Sequence, residues 1–303
     1  MRRGSGPAPL PVRDGLGPLP VRDGLEPLPV RDGLGPARLR LHGGNVLAEF
    51  SRRFGSGAKV LNGEVVDRDG AVVDATTVLA PGAHVFLYRD LPDEEVVPFP
   101  IPVLYRDDNI VVVDKPHFLA TMPRGAHVVQ TALVRLRRDL GLSELSPAHR
   151  LDRLTAGVLM FTARRAVRGA YQNLFARGEV TKTYLAVSSV SPDLVAPLVI
   201  LNRIVKQRGI LQARIEPGEP NAETRIEPLG AGRYRLTPRT GRTHQLRLHM
   251  AALGVGIDND PLYPNIIDVD PGDFTAPLHL IAHRLEFDDP ITGARRCFVS
   301  SRS

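Results

Sequence analysis

The residues best suited to chemistry lie in the stretch Pro147 to Phe161, where Arg150 and Arg153 bracket Asp152. Between guanidinium groups a carboxylate keeps its negative charge. It can then act as a nucleophile or compete with a bound anion, but it makes a poor general acid. Gly157 releases the chain into Val158-Leu159-Met160-Phe161, which reads as a buried strand. A second cluster runs from Pro238 to His249 and contains Thr240-Gly241-Arg242-Thr243-His244-Gln245. Here Thr243 can cap a helix in which Leu246, Met250 and Leu253 share a face and Gly254 is the stop. A Gly-Arg pair just before a helix N-terminus sets a cation beside free N–H donors. That combination suits a phosphate or a neighbouring carboxylate.

The elements that must position these clusters are legible as periodicities. Asn109 to Asp114 reads as a strand halted by Lys115-Pro116. Thr131 to Leu140 carries Leu133, Leu136 and Leu140 on one helical face, and Gly141 ends it; its arginines belong to a solvated face. Val167, Ala170, Tyr171, Leu174 and Phe175 recur at helical spacing before Gly178. Val180 to Val187 is β-branched and aromatic, hence a strand. Residues 191 to 222 carry prolines, glycines and scattered charges and read as long surface connections. Ala222 to Ile226 and Tyr234 to Thr237 read as a hairpin.

At 303 residues the chain holds one sizeable core plus a smaller module. A net charge of +6 and a pI near 9.8 favour a polyanionic partner, although 35 Arg against 4 Lys also fits a genome-wide codon bias. A single cysteine, Cys297, excludes an internal disulfide framework and fits a reducing cytoplasm. No apolar run approaches a membrane span, and the Pro-rich opening lacks the apolar core of a secretory signal. A cytoplasmic monomer is expected.

Residues 9 to 35 hold three near-identical units, Pro9 to Gly17, Pro18 to Glu26 and Pro27 to Gly35, each built on Pro-Leu-Pro-Val-Arg-Asp-Gly-Leu. The period is too short and too rich in Pro and Gly to bury a core. Residues 1 to 36 are therefore expected to form a disordered arm with a turn at each Asp-Gly. Residues 37 to 92 form a small module with a short helix from Val46, a tight hairpin across Arg68-Asp69-Gly70 and a strand from His84 to Arg89. Residues 93 to 303 form the principal domain, entered through an acidic linker.

The block Pro147 to Phe161 resembles the His-Arg-Leu-Asp motif of the RluA family of pseudouridine synthases, with Ala156 where the family has Ser. Thr240 to His249 is similar to that family's Thr-Gly-Arg-Thr-His-Gln block. Asp114-Lys115-Pro116 resembles its opening motif, although His117-Phe118-Leu119 stands where small residues including Gly are usual. Lys182, Tyr184 and Ala186-Val187 resemble a further segment, and Asp258 to Pro264 and Leu278 to Gly293 its closing elements. The likeness spans Val97 to Val299. It implies an α/β (α+β) pseudouridine synthase fold, a mixed, largely antiparallel sheet with surrounding helices, preceded by a small S4-like RNA-binding module. It also implies that Asp152 is the essential carboxylate, that Arg242 pairs with it, and that Tyr184 stacks on the flipped base. Lys115, His149, Arg150, Leu151, Thr155 and Leu246 become substrate-binding candidates, with Arg150 in the RNA-engaging loop and Leu151 and Leu246 as pocket walls. Without that resemblance, Tyr184 would read as a core tyrosine with a satisfied hydroxyl.

Nine histidines invite a metal reading, but His279 and His283, and His244 and His249, lack a metal-binding pattern. No metal and no cofactor is expected, and the partner is RNA, ribosomal or transfer. The rival function is a non-catalytic RNA-binding protein that retains the fold. The joint presence of Asp152, Tyr184 and Arg242 speaks against it.

Overall fold

The computed structural model describes residues 27–91, 93–190, 196–207 and 209–302. Two compact units divide the chain, Met1–Pro92 and Asp93–Ser303. No helix among the described residues is long and apolar enough to cross a membrane.

In the first unit, β1 (Ala37–Arg40) pairs antiparallel with β4 (His84–Leu87), and β2 (Gly44–Asn45) with β3 (Val78–Leu79). Helix α1 (Val46–Phe54) starts where the Asn45 side chain accepts from the Ala48 amide at 2.9 Å, and ends at Gly55. It is followed by α2 (Ala58–Leu61). Val46, Phe50, Val60, Val65, Val73 and Val85 form the core. The hairpin expected around Gly70 exists as paired backbone bonds at Val65–Val73 and Asp67–Ala71. Of the three repeats, the first two lie outside the described residues. In the third, Asp32 and Gly33 form a tight turn closed by two bonds between Arg31 and Leu34, and the Arg31 guanidinium lies 4.2 Å from the Tyr88 ring centre.

The second unit is built on a sheet of eleven strands among the described residues. In chain order its elements begin with β5 (Val103–Arg106), β6 (Ile110–Lys115), α3 (Ala132–Leu140), β7 (Ser146–Pro147), β8 (Ala156–Thr162) and α4 (Arg168–Ala176). They continue with β9 (Thr181–Val187), β10 (Leu198–Val205), β11 (Arg214–Glu216), β12 (Ala222–Gly230), β13 (Arg233–Pro238), α5 (Gln245–Ala252), β14 (Leu280–Asp288) and β15 (Arg295–Val299). The main order is β11-β10-β12-β13-β9-β14-β8-β6-β5, with β15 beside β14 and β7 beside β8. Among the described strands only the β8–β14 pairing is parallel, so the sheet is mixed and largely antiparallel, as expected.

Ile110–Val113 of β6 and Val158–Phe161 of β8 are apolar without interruption because both faces of these strands are covered. Val111, Val113, Leu159 and Phe161 pack with Leu133 and Leu136 of α3 and Met250 of α5. Ile110, Val112, Val158 and Met160 pack with Val167 and with Tyr171 and Leu174 of α4. Thr131 caps α3, its side chain accepting from the Val134 amide, and Gly141 is its stop, as the spacing predicts. At Gly157, φ is +108° and a Cβ would lie 2.3 Å from the Ala282 carbonyl oxygen, so only glycine lets β8 and β14 approach.

Two local expectations are corrected. Residues 191 to 222 are not merely connections, since β10 and β11 lie within them. The outward positions of β10, Val199 and Leu201, are 49% and 59% exposed, and these apolar residues erase the alternation that marks a half-buried strand. Thr243 does not cap α5; the residue before the helix is His244, in the left-handed region at φ +58°. Phe118, where the related motif carries small residues, also adopts a left-handed φ of +64°, with its ring packed near Phe99 and Phe274.

Candidate active site

A groove of about 860 Å³ opens in the second unit, lined by the loop between β7 and β8, by β9, and by the segment leading into α5. Its carboxylate is Asp152, whose side chain is 36% exposed. The loop that carries it is tied down through its backbone. The Thr121 hydroxyl donates to the Leu151 carbonyl at 2.8 Å and accepts from the Leu151 amide at 3.1 Å. The Thr155 amide donates to the Asp152 carbonyl at 3.1 Å, and a His117 ring nitrogen lies 2.8 Å from the Leu154 carbonyl. The Lys115 ammonium donates to the carbonyls of Pro116, Leu119 and Arg153 at 2.9, 2.7 and 3.2 Å. Three N–H donors thus meet three acceptors, while burial pulls the Lys115 pKa down to about 7.

Lys115 does not line the groove. It is fully buried and holds the loop from behind. Arg242 does not pair with Asp152 either. Its guanidinium is exposed and donates to the Asn221 carbonyl at 3.1 Å. The cation facing Asp152 is Arg247, at 3.9 Å and itself 2% exposed. Arg247 is gripped by Asp260 through two bonds, of 2.8 and 2.5 Å. Asp260 in turn accepts from the amides of Leu262 and Tyr263. Burial opposes the Arg247 charge, but the two carboxylates push its pKa up. The left-handed turn at His244 sets the start of α5, and Arg247 follows in its first turn, so reading Arg242 as the partner picks the wrong arginine of the same block.

The other predicted residues do gather at the groove. Tyr184 lines it from β9, and burial together with the Asp152 charge pushes its hydroxyl pKa up, keeping the phenol neutral. Leu151, Leu246 and Thr155 form buried parts of the wall, and Arg150 is exposed at its edge. His149 stacks on Phe175 at 4.5 Å, its Nε2 accepts from the Met160 amide at 3.1 Å, and burial lowers its pKa to about 3.

Sequence reasoning missed the residues that hold the approach to α5. Gln245 accepts from the Arg242 amide and the Thr240 hydroxyl, and donates to the Glu223 carbonyl and Thr224 Oγ1. The Tyr263 hydroxyl meets His244 Nδ1 at 3.0 Å and both backbone groups of Ala213. His249 bridges Thr224 and Asn202. Among the described residues no group of three or more His, Cys, Asp or Glu is placed to hold a metal ion.

Comparison with known proteins bears on what this groove does. Residues 109–252 match the RNA pseudouridylate synthase family. The chain is 34% identical over 221 residues to the Saccharomyces cerevisiae tRNA pseudouridine(32) synthase, mitochondrial, covering 67% of this chain but 46% of the yeast protein. It is 30% identical over 215 residues to the Haemophilus influenzae dual-specificity RNA pseudouridine synthase RluA, covering 65% of this chain and 91% of that protein. The chain thus spans less than half the length of the yeast relative. The solved structure of human RNA pseudouridylate synthase domain containing 1 superposes with a TM-score of 0.54 at 25% identity, over 65% of this chain and 82% of that one.

Proposed function

The chain belongs to the RluA family of pseudouridine synthases, and from this we propose that it isomerises selected uridines in structured RNA to pseudouridine. The observation that carries the reading is Asp152, a carboxylate open to a groove with a buried, doubly anchored arginine 3.9 Å away.

The reaction breaks the N1–C1′ glycosidic bond and joins C5 to C1′; the C5 proton leaves and N1 ends protonated, so the atoms balance without oxidant or water. Whether Asp152 attacks C1′ or takes a proton from the sugar, the anion is required. Arg247, held in place beforehand by Asp260, faces that charge without having to reorganise. Taking a uridine out of its stack costs a few kcal/mol. Tyr184 offers a neutral ring for the everted base, Leu151 and Leu246 the apolar walls, and exposed Arg150 a side chain to fill the vacated place.

The partner is transfer or ribosomal RNA, the protein works as a cytoplasmic monomer without a metal, and residues 37–92 form an S4-like RNA-binding module. Support for that module comes from its small mixed fold and the arginines Arg52 and Arg53 on α1. Because the yeast relative's name specifies tRNA uridine 32, an unmodified tRNA with uridine there is the first RNA to test. Asp152→Asn keeps the volume and removes the charge. We expect pseudouridine formation to fall at least about 10³-fold with RNA affinity within about twofold of wild type. Turnover that survives the substitution would remove Asp152 from the mechanism. A wild-type protein that binds RNA and converts no uridine would be a non-catalytic binder instead.

A further inference from the structure

Each of three lysines has a protein partner: Lys59 pairs with Glu64 and Asp90, Lys115 donates to three carbonyls, and Lys206 donates to the Ile210 carbonyl. Lys182 differs. It lines the groove from β9, half-buried, with no hydrogen bond or ion pair to its ammonium among the described residues. Burial lowers its pKa, and no carboxylate offsets that. Nor is the ammonium sealed off, since it is not among the fully covered polar atoms that lack a partner.

A second unpartnered donor stands at the same wall. The Met160 amide occupies Nε2 of His149, which leaves the proton on Nδ1. That N–H also lacks a protein partner among the described residues and is also not sealed. Stacking on Phe175 fixes the ring. The Lys182 charge reaches His149 and, after burial, is the further cause that keeps the imidazole neutral.

An ammonium kept half-desolvated without a counter-charge weakens the folded state. Such a group in a cleft is accounted for by an anion that the protein binds. Lys182 and Tyr184 are two positions apart on one strand, so their side chains leave the same face about 7 Å apart. A strand that delivers its base to Tyr184 passes its sugar–phosphate chain close to Lys182. We propose that Lys182, with the Nδ1–H of His149, forms a subsite for one backbone phosphate of the bound RNA, next to the everted nucleotide. A lysine supplies the point charge such a phosphate needs, and the neutral imidazole adds a hydrogen bond.

This inference rests on the RNA reading, and its test is read in binding and not in turnover. The probe is a synthetic RNA hairpin with a uridine-rich loop, bound by the full chain over a range of salt concentrations. Lys182→Met should weaken binding about tenfold and make the slope of log affinity against log salt shallower by about 0.7, the share of one single-strand phosphate. Lys182→Arg should restore both. Loop phosphates are then replaced one at a time by neutral methylphosphonates. One linkage should weaken wild-type binding by a similar factor and leave Lys182→Met unaffected. An unchanged salt slope in Lys182→Met, or a loss that adds fully at every linkage, overturns the subsite. A contact to the uracil ring instead would weaken binding without changing the slope, which overturns it too. Failure of the wild type to make pseudouridine would sink the proposed activity and leave these binding results to be judged separately.

Discussion

Thr121 and Arg247 reach Asp152 by different routes, the first through the backbone of Leu151 and the second through space. Thr121→Val keeps the shape but leaves the Leu151 amide and carbonyl without that hydroxyl, a loss of about 1–3 kcal/mol. Because the slack falls one residue from Asp152, kcat should drop with KM nearly unchanged, and Thr121→Ser should recover it. Equal losses in both variants would assign the residue to stability alone. Arg247→Lys replaces a fork by a point charge and cannot keep both Asp260 bonds. Misplacing the Asp152–Arg247 ion pair by about 1 Å can lower kcat about 10²-fold. Arg242→Ala, which touches the Asn221 carbonyl and not Asp152, should act on KM instead. Steady-state kinetics of the two arginine variants decides the matter, and the reverse pattern would restore the pairing expected from sequence. The aspartate itself was legible, because a carboxylate between arginines ahead of an apolar run is a local signal. Its true counter-charge was not, because that depends on a left-handed turn at His244 and on Asp260, 13 residues beyond Arg247.

At the level of elements, the parallel junction of β8 and β14 is the tightest constraint on the loop's exit. Gly157→Ala drives a Cβ to 2.3 Å from a backbone oxygen at a φ of +108°, so neither rotamer change nor side-chain movement relieves it. We expect a loss of about 3 kcal/mol or more in urea unfolding. A cost below about 1 kcal/mol would mean that the strands separate easily, and the loop would not be anchored there. Phe118 poses the opposite balance. Its left-handed backbone costs about 1 kcal/mol that glycine would recover. Removing its ring from Phe99 and Phe274 costs about 3 kcal/mol. Phe118→Gly should therefore destabilise by roughly 2 kcal/mol net; a stabilised variant would show that backbone strain outweighs packing. Strands β6, β8 and β9 were readable because burial on both faces, or β-branched composition, marks them directly. Strands β10 and β11 were not, since exposed Val199 and Leu201 sit where polar residues would have signalled the pleat.

Across the Asp93–Ser303 unit, several titratable groups are held in their neutral or less favoured form, and they set how its stability responds to pH. Burial holds His117, His149 and His249 at about 4, 3 and 4, below the ordinary 6.5. Between those values and 6.5 the unfolded chain binds more protons than the folded one, so stability is lost as pH falls through that window. Lys115 acts at the other end. Its folded value of about 7 lies below the ordinary 10.5, so between these limits the unfolded state again binds more protons, and its contribution grows as pH rises. The unit should keep gaining stability from pH 4 through neutrality and, on account of Lys115, continue to gain toward pH 9. The gain above pH 7 can be assigned by comparing wild type with Lys115→Met, following hydrogen exchange of the α5 amides in urea at pH 6.5, 7.5, 8.5 and 9.5. The wild-type advantage should widen with each step. A difference that stays flat across this range would mean that the three carbonyls of Pro116, Leu119 and Arg153 hold the Lys115 ammonium at or above its ordinary value.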